Sequence, residues 1–560
     1  MITEKNKGAR LDFFRSLYEN AKNAYGDTLD GFDRNMRQYQ GSTDIDGGKE
    51  NATTVRNITY ELIESQISSD IPQPKIDSEA YSEENSRLAV SIEALLRSQR
   101  NKLPFEEMND LDERFTYVYG GSVWLCEWDN ERGGVEISLI PPKDFIPEPE
   151  VYSADEMEYC FIKSYSTRDE AVRRFHIPTD LTDYLDTDNG SLTEDGIVYI
   201  NCFYKDEDGA VGKYVFSGGV QLLDIKNYYK RKIKVCKKCG KREGECACET
   251  DSFRLTDIEY EDVRDKATGK TIPSVPFYIP TRLPIVIRRN TPKEKSLFGY
   301  SDCEFIRPEQ QAINKVESRI LQKLLRSGIT PIVPDGATVT LNNSVFGQII
   351  KMRPGESVAQ YGTVDTTPDI SADIAEAERL YDHAKRILGV TDAYQGISAN
   401  YQESGYARQL KIAQSTGRLQ SKKKLKEIAY TALDRLIFEH YLAFSDEARE
   451  ISVGDGFDKI HNEVFDRYDF LVFDTVRGAL RYNDSFLFGV DENGGRDYER
   501  EALWERNLEN LKAGTLGDPS APKTLLRYWQ LQEKAHYPHA RENVEYFSEI
   551  TKEAEIYGAE

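Results

Sequence analysis

One stretch, Tyr300 to Gln402, limits the folds open to this chain more than any other. Phe305, Ile306, Ile313, Val316, Ile320 and Leu324 fall mainly at three-, four- and seven-residue spacings, the pattern of an amphipathic helix. From Thr330 to Tyr361 the pattern changes to short β-type runs. These are broken by Pro334-Asp335-Gly336, Asn342-Asn343 and Arg353-Pro354-Gly355. Such clusters make turns, because proline presets φ while glycine and asparagine tolerate the left-handed region. Ile370, Ile374, Ala377, Tyr381, Ala384 and Leu388 then share one face of a second helix. Thr367-Pro368 suits its N-cap and first position, and Gly389 its stop. The pattern predicts a stalk of two helices carrying a β-rich tip.

The flanking sequence has room for about two to four domains in all. Residues 7–40 are helix-prone, with Leu11, Phe14, Leu17 and Tyr18 as an apolar stripe. Val55, Ile58, Leu62, Ile63 and Ile67 predict a second helix, ended by Pro72 and Pro74. A third covers Leu88 to Phe115, interrupted near Pro104. The period then shifts to that of strands: Ser122–Trp128 with Val135–Ile140 as its hairpin partner, then Tyr159–Ser166, Gly196–Phe203, Gly212–Phe216 and Phe277–Arg289. A short helix is expected at Arg168–Phe175. After the stalk, Gly405 to about Phe444 reads as one long helix, roughly 60 Å if unbroken, with Gly417 a plausible kink point. Strands at Tyr468–Val472 and Phe486–Phe488 precede a helical C-terminus from about Tyr498 to Ile556. Together these predict an α+β chain.

The hydrophobic content of 39% and aromatic content of 11% are those of a folded protein. No run approaches a membrane span, and Met1-Ile2-Thr3-Glu4-Lys5 has no signal-peptide core, so a chain made in the cytosol is expected. The formal charge is −23, from 73 basic and 96 acidic residues. That sign argues against a protein built to grip nucleic acid tightly. It fits either a solubility device or a surface that lets a polyanion pass without sticking.

Of eight cysteines, Cys126, Cys160, Cys202 and Cys303 are scattered beside apolar residues and read as small buried side chains. The others form Cys236-Lys-Lys-Cys239-Gly240 followed by Cys246-Ala-Cys248. Four thiolates at this spacing suit a closed, tetrahedral structural Zn²⁺ site within an insertion at about residues 228–257. Lys232, Lys234, Lys237, Lys238, Lys241 and Arg242 would offset its negative charge. A disulfide pair, a chance grouping and a nucleic-acid-reading knuckle are the alternatives.

Nothing in the sequence predicts catalysis. The six histidines, His176, His383, His440, His461, His536 and His539, make no metal-ligand spacing. Nucleophile-elbow, P-loop and dinucleotide fingerprints are all missing from the sequence. No enzyme is expected.

Leu297-Phe298-Gly299-Tyr300-Ser301, followed by Ile306, Gln310 and Asn314, resembles the start of the stem in tailed-bacteriophage portal proteins. The likeness continues through the β-rich tip, the returning helix ending Ile387-Leu388-Gly389-Val390, a polar loop and a long helix. Upstream, Asn51 to Lys75 resembles the family's early wing segment. Gly120-Gly121 with Trp124 to Trp128, then Ile140-Pro141-Pro142 and Phe145-Ile146-Pro147, resemble its wing strands. The order of elements over residues 10–490 carries the likeness; each motif alone is weak, and the four-cysteine insertion is not general to the family.

The resemblance implies a portal-like fold: a mixed wing at 1–299, stem helices at 300–328 and 367–390, a small β-rich clip at 329–366 and a tunnel loop at 391–404. A long channel helix at 405–447, wing strands at 448–495 and a helical crown at 496–560 would complete it. It further implies a ring of twelve copies at one capsid vertex of the virion, assembled in the host cytoplasm. Double-stranded DNA would cross that ring during packaging and ejection. Terminase, head-tail adaptor proteins, and the major capsid and scaffolding proteins would be its partners, with no membrane involved. Tyr394, Gln395, Asn400, Tyr401 and Gln402 would line the tunnel loop, whose only charges are Asp392 and Glu403; an ordinary surface loop is the plain alternative. Arg418, Lys422, Lys423, Lys424 and Lys426 are candidate phosphate contacts, with a solvated helix face or intersubunit salt bridges equally open. Two other readings stand beside the portal: a zinc-knuckle nucleic-acid-processing protein, and a non-viral oligomeric scaffold.

Overall fold

The computed structural model describes the chain outside residues 1–6, 46–52, 80–81, 188–195, 240–252, 259, 265–270, 327–328, 333–356, 358–361, 366–367, 391–416, 455–459, 475–477, 491–496, 535–536, 538–539 and 558–560. Helices and strands are both abundant, so the α+β class is observed. The chain divides into two compact units. Met1–Asp30, Ile67–Tyr300 and Gln420–Glu560 form the first; Gly31–Gln66 and Ser301–Leu419 form the second.

In the first unit, helix Lys7–Ala24 covers a six-stranded antiparallel sheet. The strands run Phe145–Pro147, Tyr159–Thr167, Gly196–Lys205, Val211–Ser217 and Val220–Ile225 in spatial order, with Asp186–Thr187 beside the third. Phe14 and Tyr18 of the predicted stripe, together with Ala21, pack on Phe161, Cys202, Tyr204 and Tyr214. The Phe14 and Tyr214 rings stack with centroids 4.2 Å apart.

A second core joins the three-stranded sheet Ile285–Arg289, Gly121–Asp129 and Gly134–Ile140 to the long helix, here Gly417–Phe444. Its 28 residues span about 42 Å. Trp124, Phe105 and Tyr430 meet ring to ring at its centre. Cys126, Cys160, Cys202 and Cys303 are all fully buried, as their neighbours in sequence suggest.

Three expectations need correction. Only Ile58–Glu64 of the Val55–Ile67 run is helical; Thr53 to Asn57 is irregular, with Thr53, Thr54 and Arg56 bonded through their backbone to another helix. Strand Phe277–Arg289 shrinks to Ile285–Arg289, since Pro280 and Pro284 cannot donate to a ladder. Tyr468–Val472 begins as a 3₁₀ turn, Arg467–Phe470, and becomes strand at Leu471–Asp474. The expected C-terminal helical region consists of Asp497–Lys512, Pro522–Lys534 and Ala540–Tyr557, with the Tyr537 ring meeting those of both Trp504 and Trp529. No described helix is long and apolar enough to cross a membrane.

Two motifs far apart in sequence interlock. The Gly120 carbonyl accepts from the N–H groups of Asn290, at 3.0 Å, and Gly299, at 2.9 Å. A Cβ on Gly299 would lie 2.3 Å from the Thr291 carbonyl oxygen, and one on Gly121 would lie 2.5 Å from that of Arg288. Phe298, 2% exposed, closes the junction. The glycines are there because backbone passes against backbone.

His440 lies wholly buried in the long helix, its Nδ1 2.8 Å from the Leu436 carbonyl. Burial pushes its pKa down to about 4, so the ring is neutral and Nδ1–H donates. In the unfolded chain the ring titrates near 6.5. The unfolded state therefore takes up the proton first as pH falls. Stability present above pH 6.5 should drop by about 3 kcal/mol on the way to pH 4. Chemical denaturation of the native chain and His440→Phe across that window checks this: the variant should lack that part of the slope, and parallel curves would refute it.

Candidate functional site

The second unit is built around an antiparallel pair, Asp302–Arg326 and Ser371–Leu388. Ile306 and Ile313 pack against Tyr381, Ala384 and Leu388. Polar contacts set the register along the pair: Asp373 forms ion pairs with Arg319, at 2.9 Å, and with Lys323, while His383 Nδ1 lies 2.9 Å from Glu309 Oε1 near the other end. The returning helix starts later than Thr367-Pro368 implied; Asp369 takes the N–H of Ser371 at 2.9 Å. It stops at Gly389 as expected, with φ 77°. Between the helices, Ile329–Ile332 pairs antiparallel with Gly362–Asp365. The rest of the tip, residues 333–356 and 358–361, lies outside the described residues.

Gln310, Asn314 and Ser318 recur every four residues and form a buried polar ladder on the outgoing helix. Gln310 Oε1 accepts from the N–H and hydroxyl of Thr59, at 3.0 and 2.9 Å, while its Nε2 donates to the Arg56 carbonyl at 2.7 Å and to Asn314 Oδ1 at 2.8 Å. Ser318 Oγ accepts from the N–H groups of Thr53 and Thr54. Gln38 Nε2 adds bonds to Thr59 Oγ1 and the Cys303 carbonyl, each at 3.0 Å. The ladder pins residues 53–59 beside the helix pair, which explains why Gly31–Gln66 joins this unit. Periodicity misses it, because polar residues at helical spacing read as a solvated face.

The basic run on the long helix splits into different environments. Lys423 and Lys424 are exposed, and Lys424 pairs with Glu427 at 3.2 Å. Lys422 sits 4.7 Å over the Tyr117 ring. Arg418 lies in the first turn of the helix, and its side chain is outside the described set. Lys426 corrects the expectation of a surface phosphate contact: it is 4% exposed, 3.0 Å from Glu113 and 2.7 Å from the Asp70 carbonyl. Burial lowers its pKa against the pull of Glu113. The tunnel-loop candidates Tyr394, Gln395, Asn400, Tyr401 and Gln402 lie outside the described residues.

Lys426 belongs to a buried network that the sequence did not single out. Arg288, 2% exposed, binds Asp112 and lies 2.8 Å from Glu113. Asp112 also accepts from Ser122 and, at 3.0 Å, from Trp124 Nε1. Burial raises the cost of charging Glu113, yet Arg288 and Lys426 together hold its carboxyl below the ordinary range. Nearby, Arg100 grips Asp434 through both carboxylate oxygens, at 2.6 and 2.7 Å. The network fastens helix Phe105–Tyr119 and strand Ile285–Arg289 to the long helix. Its cations are committed to internal carboxylates.

The described cysteines of the cluster sit at the end of a hairpin. Arg231–Cys236 pairs with Phe253–Ile258, and Cys236 faces Phe253 in register. Among the described residues no group of three or more His, Cys, Asp and Glu side chains could hold a metal ion. Cys246 and Cys248 lie outside the described set. No family model matches the chain, and no curated protein matches it.

Proposed function

We propose that this chain is the subunit of a portal ring: an oligomeric channel at one capsid vertex through which duplex DNA is packaged and ejected. The observation that carries the proposal is the order within the second unit. Helix Asp302–Arg326, an antiparallel β pair and helix Ser371–Leu388 follow one another, and the long helix comes next in sequence. A stem, the base of a clip and a channel helix would occupy those places.

Exposed apolar residues support self-association. Leu321, Leu324 and Leu325 near the end of the outgoing helix, and Ile374 at the start of the returning one, are 39%, 48%, 75% and 47% exposed. Apolar surface at one end of a helix pair favours a neighbouring copy, and repeated head-to-tail contacts that close make a ring. The charge of −23 per chain, multiplied around a ring, discourages DNA from adhering. In this role the protein performs no chemistry itself; terminase docked on the clip supplies the work, and adaptor proteins and the capsid hold the vertex. Lys423 and Lys424 are the exposed lysines of the run left to touch phosphate.

Mass photometry of the purified full chain tests this. One species near twelve chain masses is expected. A stable monomer or dimer at all concentrations would overturn it, and would favour the nucleic-acid-processing or scaffold readings.

A further inference from the structure

We propose that the two lateral sides of the second unit's helix pair, one basic and one acidic, are the surfaces through which copies of this chain dock head to tail. The proposal rests on the ring reading and names the surfaces that would build the ring. Residues 53–64 pack along one side of Asp302–Arg326 and Ser371–Leu388. Gln310 and Ser318 bond to them, and Arg56 reaches Glu378 at 2.8 Å. The opposite side is open: Phe305, Pro308, Lys315 and Arg319 of the outgoing helix and Arg379 and His383 of the returning one are exposed there. Their spacings of three, four and seven put the members of each helix on one side.

Cations prevail on the open side. Lys315, Arg319, Lys323 and Arg379 lie there, against Glu376 and the buried Asp373 that holds Arg319 and Lys323. The side that carries residues 53–64 is acidic. Helix Ile58–Glu64 buries Ile58, Thr59, Leu62 and Ile63 and turns Tyr60, Glu61 and Glu64 outward. Tyr381 donates to Glu61 and Tyr39 to Glu64, so neutral hydroxyls fix these carboxylates in place and leave them their charge. Glu317, Glu378 and Asp382 add to the acidic side. Arg56, shared between Glu317 and Glu378, and Lys385 offset only part of it.

The two sides also match in height. Glu309 faces His383 and Arg319 faces Asp373 across the antiparallel pair, which sets Lys315 and Arg379 level with each other on the basic side. Arg56 meets Glu317 and Glu378 at that same level on the acidic side. Nearer the start of the outgoing helix, exposed Phe305 lies on the basic side. Exposed Tyr60, its ring centroid 5.4 Å from that of Tyr39, lies on the acidic side. A second copy of the chain fits both sides, because like sides repel and a basic side set against an acidic one attracts. Such a contact is heterologous, so each copy keeps one side open for the next until the series closes. Exposed ion pairs add little energy each; their part is to select the partner side and fix the register.

Mass photometry of the full chain and of two charge-reversed forms tests this. Lys315→Glu/Arg379→Glu makes both sides acidic, and Glu61→Lys/Glu378→Lys makes both basic. Each form alone should keep the native circular dichroism and lose the ring-sized species. Mixed in equal amounts, the two forms should regain it, because an alternating series again sets acid against base at every contact. The native ring provides a second measurement that needs no substitution. A carbodiimide, which joins an amine to a carboxylate in direct contact, should link Lys315 to Glu317, Glu378 or Asp382 of the next copy. Rings formed by either variant alone, a mixture of folded variants that stays dissociated, or native rings without that link would overturn this inference and leave the ring reading standing. A native chain that stays single at all concentrations would overturn both.

Discussion

Arg288→Met is expected to destabilise the first unit by about 3–5 kcal/mol, the usual cost of stranding one side of a buried ion pair. Arg288 is the only cation within ion-pair distance of Asp112 among the described residues, and one of two beside Glu113, the other being Lys426. Methionine fills similar volume, so the loss measures charge, with little contribution from a cavity. Glu113 would lose the larger of the two cations that hold its carboxyl down against burial, so its pKa in the folded variant would rise. Protons would then bind the native state more readily, and the deficit should shrink as pH falls from 7 toward 4. Urea midpoints at pH 7 and pH 5 check both statements. Adding Asp112→Asn should restore part of the loss. A single-variant effect below about 1 kcal/mol, or a deficit that grows in acid, would refute the network's role.

The second large effect is expected at Gly299. A methyl group there meets the Thr291 carbonyl oxygen at 2.3 Å, with the Thr291 carbonyl carbon and nitrogen both at 2.9 Å. All three are backbone atoms, fixed by the Tyr300 N–H bond to the Thr291 carbonyl at 2.7 Å. No flexible side chain can move aside. Gly299→Ala should therefore cost about 3 kcal/mol through forced backbone displacement. It should lower the thermal midpoint far more than Gly219→Ala, where nothing lies within 4 Å. Equal midpoints for the two variants would show that the junction yields.

Much of the local structure was legible before any coordinates. Arg168–Phe175 is helical at the bounds its pattern implies, capped by Thr167 accepting the N–H of Glu170. The hairpin Gly121–Asp129 with Gly134–Ile140 turns where Asp129 to Gly134 said it would. These succeed because period and turn chemistry are local. Hairpin Arg449–Gly454 with Ile460–Phe465 was missed: its strands are short and polar enough to read as loop. The ion network was illegible for a stronger reason. Lys426 looks like its neighbours in a basic run, and Glu113, Asp70 and Arg288, all far away in sequence, place it inside. For the candidate site, the helix pair and its β connection were readable from spacing, but the Gln310–Asn314–Ser318 ladder was not. Its partners Arg56 and Thr59 come from a segment that the apolar pattern alone assigns to a longer helix, and Thr53 and Thr54 lie just before it.

The central claim is that copies of this chain close into a channel. Negative-stain microscopy of the purified full-length protein tests it most directly. The account predicts uniform rings with a stain-filled central hole, seen end-on, and a narrower stalk in side view. Compact monomers or dimers with no ring at any concentration would contradict it.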